Sequence, residues 1–178
     1  MSDFATIVPW DLTAGGHYGL GTALVGLQST ANVQSTAWPS ANQAIFVPMR
    51  LAAPVTVYKL IIGAGGTASG NFDAGIYDRF GNRLVSSGAT AKGTNTEHIL
   101  DITDTQLGPG LYYLALAADG TNNYIMLTPA GVSPVPLQKA RLFGTLEAAT
   151  AYTLPSTVTF AARTTALIPA ITALFRSY

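Results

Sequence analysis

Asn71–Gly88, NFDAGIYDRFGNRLVSSG, is the stretch that decides the fold. Phe72, Ala74 and Ile76 alternate with Asp73, Gly75 and Tyr77. That period of two puts successive side chains on opposite faces of a strand. Asp78-Arg-Phe-Gly-Asn82 then reads as a tight hairpin connection. Asp78 suits the first turn position, and Gly81 supplies the positive φ of a bulged hairpin loop. Arg83–Ser87 is the returning strand.

The same grammar extends in both directions. Gln43–Arg50 (QAIFVPMR) and Val55–Ile62 (VTVYKLII) are rich in β-branched and aromatic residues, with Pro54 between them. Gly63–Gly70 (GAGGTASG) is a flexible loop. Downstream, Glu97–Ile102, Leu111–Ala118 and Tyr124–Thr128 are predicted strands. Leu107-Gly-Pro109-Gly110 makes the turn into LYYLALAA, and Pro109 and Gly110 are structural turn residues alongside Asp78 and Gly81. Tyr112, Leu114 and Leu116 oppose Leu111, Tyr113 and Ala115, so both faces are apolar and the strand is predicted to be central. Asp119–Asn122 is a further turn. Thr157–Ala162 and Ile171–Phe175 are predicted to close the fold, the second pairing with the first part of the domain. Val132–Thr145 is the one place for a short helix, with Pro136 in its first turn and Gly144 as its stop. The expected fold is all-β: an antiparallel jelly-roll-like β-sandwich over residues 38–178, with at most one short helix.

Residues 1–37 read differently, as an extended N-terminal arm. Leu12–Met49 contains no Asp, Glu, Lys or Arg, and holds Gly15, Gly16, Gly19, Gly21 and Gly26. Disordered tails stay soluble through charge and low hydrophobicity, and this segment has neither. It is expected to lie on its own domain or on a neighbouring subunit. Its large apolar side chains, Phe4, Trp10, Tyr18, Leu24 and Leu27, are the expected attachment contacts.

Composition narrows the function. The chain has 178 residues, nine basic and nine acidic side chains, and only 10% charged residues, against about 25% in an ordinary soluble domain. A neutral chain has no electrostatic footprint for nucleic acid. The absence of cysteine excludes disulfides, thiolate metal sites and cysteine nucleophiles. MSDFATIVPW carries Asp3 and no basic n-region, so it does not read as a secretory signal. No apolar run approaches the roughly 20 residues of a membrane helix, and Ala166–Phe175 is broken by Pro169. A weakly charged surface is sticky, and such a chain is most comfortable where neighbours cover it.

The residues that could carry chemistry are few. His17 and His98 are the only histidines. His98 is expected on a strand, facing solvent or a subunit contact. Asp73 and Asp78, or Asp101 and Asp104, could in principle form the carboxylate pair of a glycoside hydrolase. Turn capping already explains Asp78, Asp104 and Asp119. Asp119-Gly-Thr-Asn-Asn123 resembles a calcium loop without its closing acid. Trp10, Trp38, Tyr58, Tyr77, Tyr124 and Tyr152 are the rings available for a sugar-stacking platform, with loops 63–70, 88–96 and 119–123 at the sandwich tip. No cofactor, metal or catalytic residue is assigned.

Asn71–Gly88 and Leu107–Leu116 (LGPGLYYLAL) together are similar to a pattern in small structural proteins of tailed bacteriophages. Trp38–Pro48, Leu154-Pro155 and Ile168-Pro169 fit the same pattern, so the resemblance covers most of Trp38–Pro169. It implies a non-enzymatic virion component, assembled in the host cytoplasm, that contacts other virion proteins. With no fibrous shaft in the chain, a capsid decoration or cementing protein, a homotrimer gripping the shell through its arm, is the favoured expectation. The alternative is a tail or baseplate module that binds a receptor or host surface glycan. No contact with nucleic acid or membrane is expected.

Overall fold

The computed structural model describes residues 17–21, 33–127, 145–163 and 168–177. These residues form fourteen strands. They are β1 (His17–Gly21), β2 (Val33–Ala37), β3 (Gln43–Leu51), β4 (Val55–Gly63), β5 (Asn71–Asp78), β6 (Arg83–Ser86) and β7 (Thr90–Ala91). They continue with β8 (Glu97–Leu107), β9 (Gly110–Ala118), β10 (Asn123–Leu127), β11 (Leu146–Ala149), β12 (Ala161–Ala162), β13 (Ile168–Pro169) and β14 (Ile171–Ser177). The described residues contain no helix. The helix expected over Val132–Thr145 falls outside them except at Thr145, which is not helical.

All pairings are antiparallel. A larger sheet runs β12-β11-β3-β9-β5-β6, with β7 also on β5, and a smaller one runs β1-β14-β4-β8. A three-stranded sheet, β13-β10-β2, completes the sandwich-like arrangement. Two of the chain's passages between the main sheets, β3 to β4 and β8 to β9, lie side by side. Leu51 pairs with Gly110 in the larger sheet, while Val55 pairs with Leu107 in the smaller one. The turn at Pro109 and Gly110 is therefore an inter-sheet crossing. Strand β8 also runs five residues beyond the expected Ile102, across an irregularity opposite Val57–Lys59.

Strand β9 is central, between β3 and β5. Its Leu114, Leu116 and Ala118 face the main core with Ile45, Val47, Leu60, Ile62, Phe72 and Ile76. Its Tyr113, Ala115 and Ala117 face a second core on the outer side, with Ala44, Phe46, Tyr77 and Leu154. Phe160 and Val158 pack on that second core. The alanines of β3 and β9 keep the surface shallow enough for residues 150–163 to lie across it.

This covering segment is not the strand expected over Thr157–Ala162. Only a single bridge, Asn82–Thr157, and the two-residue β12 are regular there. Pro155 has no amide to donate, and side chains of the sheet add to the backbone bonds that Arg83 N and Gly81 O make with Ser156 and Val158. Asp73 accepts from Leu154 N at 2.9 Å. Tyr77 Oη donates to Pro155 O at 2.5 Å, and the Arg83 guanidinium donates to Leu154 O.

Two stretches of the expected arm belong to the sandwich. β1 pairs with β14 and β2 pairs with β10, so at those stretches the segment lies on its own domain. The backbone of Tyr18 pairs with Phe175. Phe4, Trp10, Leu24 and Leu27 lie outside the described residues.

The hairpin is built as read. Asp78 accepts from Phe80 N (2.8 Å), Asn82 N (2.9 Å) and Asn82 Nδ2 (2.8 Å). Gly81 has φ +88°, and a Cβ there would fall 2.2 Å from Val158 O. Gly81→Val should therefore cost about 2–4 kcal/mol in denaturant melts, from a left-handed backbone plus a backbone clash. Gly88 has φ +73° with nothing within 4 Å of a Cβ. Gly88→Ala should cost only the conformational strain, about 1–2 kcal/mol. Equal losses at the two sites would show that the close approach of Val158 does not matter.

Candidate functional site

Loops 64–70, 87–96 and 119–122 converge on one end of the sandwich, together with the end of β2. Short polar clasps join them. Asp119 accepts from Asn71 N at 2.8 Å and from Asn71 Nδ2 at 2.9 Å. Asn122 Nδ2 donates to Ser69 O at 2.6 Å, and Ser69 Oγ donates to Asn122 Oδ1 at 3.1 Å. Gly66 N donates to Ser35 Oγ at 3.1 Å. Trp38 N donates to Asn122 O at 3.1 Å.

Lys92 sits at the centre of this cluster, only 5% exposed. Its ammonium donates to Gly65 O (3.2 Å), Thr67 O and Gly93 O (3.3 Å). It also lies 5.3 Å from the Tyr124 ring centroid. Three carbonyls and an aromatic face substitute for water around a buried cation. Burial nevertheless lowers the ammonium's pKa from its ordinary value. Lys92 N holds Gly70 O at 3.0 Å, and Asn95 N shares Gly65 O at 3.1 Å. One residue thus ties loop 87–96 to loop 64–70.

His98 is half-buried and faces inward, which corrects the expectation that it meets solvent or a subunit. Its register opposite Ile62 turns the ring into the sandwich. Nε2 accepts from Gly93 N at 3.0 Å, and the ring stands edge-on to Phe72 at 5.0 Å. Burial, and after it the charge of Lys92, holds the imidazole pKa below its ordinary value.

The candidate acids do not assemble. Asp73 is buried beneath the covering segment, bonded to Leu154 N and, at 3.3 Å, to Ser87 Oγ. Burial raises its pKa against the pull of those hydrogen bonds. Asp101 pairs with Lys59 at 3.1 Å, and Asp104 pairs with Arg176. At Asp78, slight burial is outweighed by hydrogen bonds from Asn82, Phe80 and Gly81, and the pKa is lowered. Among the described residues no three of His, Cys, Asp and Glu group as metal ligands. Asp119 clasps Asn71 rather than shaping a calcium loop.

The aromatic platform is also corrected. Trp38 and Tyr124 are 1% exposed and Tyr77 is 0% exposed. Tyr124 packs edge-on against Trp38 at 5.2 Å, and burial, then Asp119, pushes its phenol pKa up. Tyr58 lies under the Arg176 guanidinium, and Tyr152 is half-buried. Trp10 lies outside the described residues. Among the described residues the large exposed ring is instead Phe80, at 70%. Sequence reasoning passed over Lys92 and Phe80. Their signals were a lone cation in a Gly/Thr/Asn loop, and an aromatic residue in a tight turn.

Compared with protein-family models, with curated proteins and with solved structures, the chain finds no match. Among the described residues no helix is long and apolar enough to cross a membrane.

Two outcomes test the cluster. Lys92→Met removes the ammonium donor from Thr67 O and Gly93 O and leaves Gly65 O with Asn95 N alone. It should destabilise the fold by about 1–3 kcal/mol and open residues 64–70 to protease. An unchanged melt with unchanged cleavage would show that Lys92 is dispensable. The His98 effect has a defined sign. A folded-state pKa below the unfolded value of about 6.5 stabilises the neutral ring, fully above that pH, and the gain is lost as pH falls through the folded-state pKa. Protection of the Gly93 and Asn95 amides, relative to their intrinsic exchange rates, should therefore fall as pH is lowered from about 6.5. His98→Gln keeps an acceptor that does not titrate, and should abolish that pH dependence.

Proposed function

We propose that the chain is a non-enzymatic structural protein of a tailed-bacteriophage particle, a capsid decoration protein that attaches through its N-terminal segment. The observation that carries this reading is the direction of the polar groups. Asp73, Lys92, His98 and Asp119, the residues with the most chemical potential, are turned inward and occupied in holding loops and the covering segment. What remains outside is a surface with few charges, suited to burial against neighbours. The resemblance over Trp38–Pro169 supports the same reading.

The test is rebinding of purified chain to particles that lack it, read as copies per particle. Because β1 begins at His17, deletion of residues 1–16 spares every described strand. That truncated chain should keep its melting temperature and lose attachment. Attachment of the full chain should persist in high salt, since few charges are available to be screened. Undiminished binding by the truncated chain, or release by moderate salt, would overturn the reading.

A receptor- or glycan-binding module is favoured by one observation, the convergence of the three loops. With Trp38, Tyr77 and Tyr124 buried, such a site would hold sugar through Asn, Ser and Thr hydrogen bonds rather than stacking. A glycan-dependent change in the fluorescence of Trp38 beneath the loops would move the assignment there.

A further inference from the structure

The described residues expose three large apolar side chains: Phe80 (70%), Ile99 (57%) and Leu84 (40%). They fall in two places of opposite charge and at opposite ends of the sandwich. Phe80 and Leu84 belong to the β5–β6 hairpin, beside Arg79, whose guanidinium lies 4.5 Å from the Phe80 ring centroid. Ile99 lies near the start of β8, the edge strand of the smaller sheet. It is flanked at alternate positions by exposed Glu97 and Asp101, so the three share one outer face. Lys59 meets Asp101, while among the described residues no cation pairs with Glu97 or carboxylate with Arg79.

We propose that the Phe80–Arg79 hairpin tip of one copy docks on the Ile99–Glu97 face of a second copy of this chain. The apolar side chains cover each other, and the arginine meets a carboxylate that has no ion-pair partner among the described residues. The Asp78 clasp holds the hairpin in place before contact, so little ordering is needed on binding. An aromatic side chain with an adjacent arginine is the usual make-up of an interface anchor. Because the two patches differ, the contact is head-to-tail and propagates into a closed ring or a filament. It goes beyond the particle reading and does not rest on it, since it joins copies of the chain alone.

Sedimentation of the full chain tests it with Phe80→Glu and Ile99→Glu. Both positions are exposed, so melting temperatures should match the parent chain. Each variant alone should associate about tenfold or more weakly. Their equimolar mixture should form a one-to-one dimer, because Phe80→Glu keeps the receiving face and Ile99→Glu keeps the hairpin. A parent chain that stays monomeric at its highest soluble concentration would overturn the proposal. So would variants that assemble like the parent, or a mixture that stays monomeric. Particle rebinding is read separately, so failure there leaves this contact standing.

Discussion

Burial of both faces of β9 is the constraint on which the rest of the structure depends. Leu114 and Leu116 need one apolar layer, and Tyr113, Ala115 and Ala117 need another. A strand apolar on both faces is stable only inside a sheet that is itself covered on both sides. β3 and β5 supply the flanks, and their own alternation repeats the demand: Ile45 and Val47 face one side and Phe46 the other. The smaller sheet meets the first face. The second is met by residues 150–163, which have little regular structure and are held by Asp73, Tyr77 and Arg83. Asp73 thus sits on an otherwise apolar face because it is the acceptor that anchors the cover.

The loop end follows a related logic. Strands entering and leaving both sheets bring Gly63, Asn71, Glu97 and Ala118 to one end, where their connections would otherwise leave backbone carbonyls unpaired. Each buried acceptor needs a donor. Lys92 supplies three from one side chain and Asn122 Nδ2 one to Ser69 O, while Asp119 accepts from Asn71 N and Nδ2. His98 adds an acceptor for Gly93 N, which works only while the ring is neutral.

Strand identities were legible in the sequence because a period of two is local: β3, β4, β5, β9 and the Asp78–Asn82 hairpin follow from it. The direction of a given ring was not. Trp38 and Tyr124 are core residues because β2 and β10 pair with each other and face Phe72, a long-range event no window of sequence records. His98 faces inward for the same reason, through its register with Ile62. The strand expected over Thr157–Ala162 is regular only at Ala161–Ala162, because the backbone around Thr157 bonds to the Gly81–Arg83 turn instead of running along a neighbouring strand. Lys92 was invisible because its three acceptors lie up to 27 residues away in sequence.

The two ends of the sandwich are therefore unlike. At the loop end, polar atoms face one another and the rings lie beneath them. At the hairpin end, the polar groups of Asp78 and Asn82 are closed on the turn, and the ring of Phe80 faces outward. Leaving a phenyl ring in water forgoes about 2 kcal/mol of burial, while the turn around it is among the best-bonded in the structure. The ring that this turn holds out gains little from burial in its own chain. The gain comes where another surface covers the ring, the situation the sparse charge of the whole chain also fits.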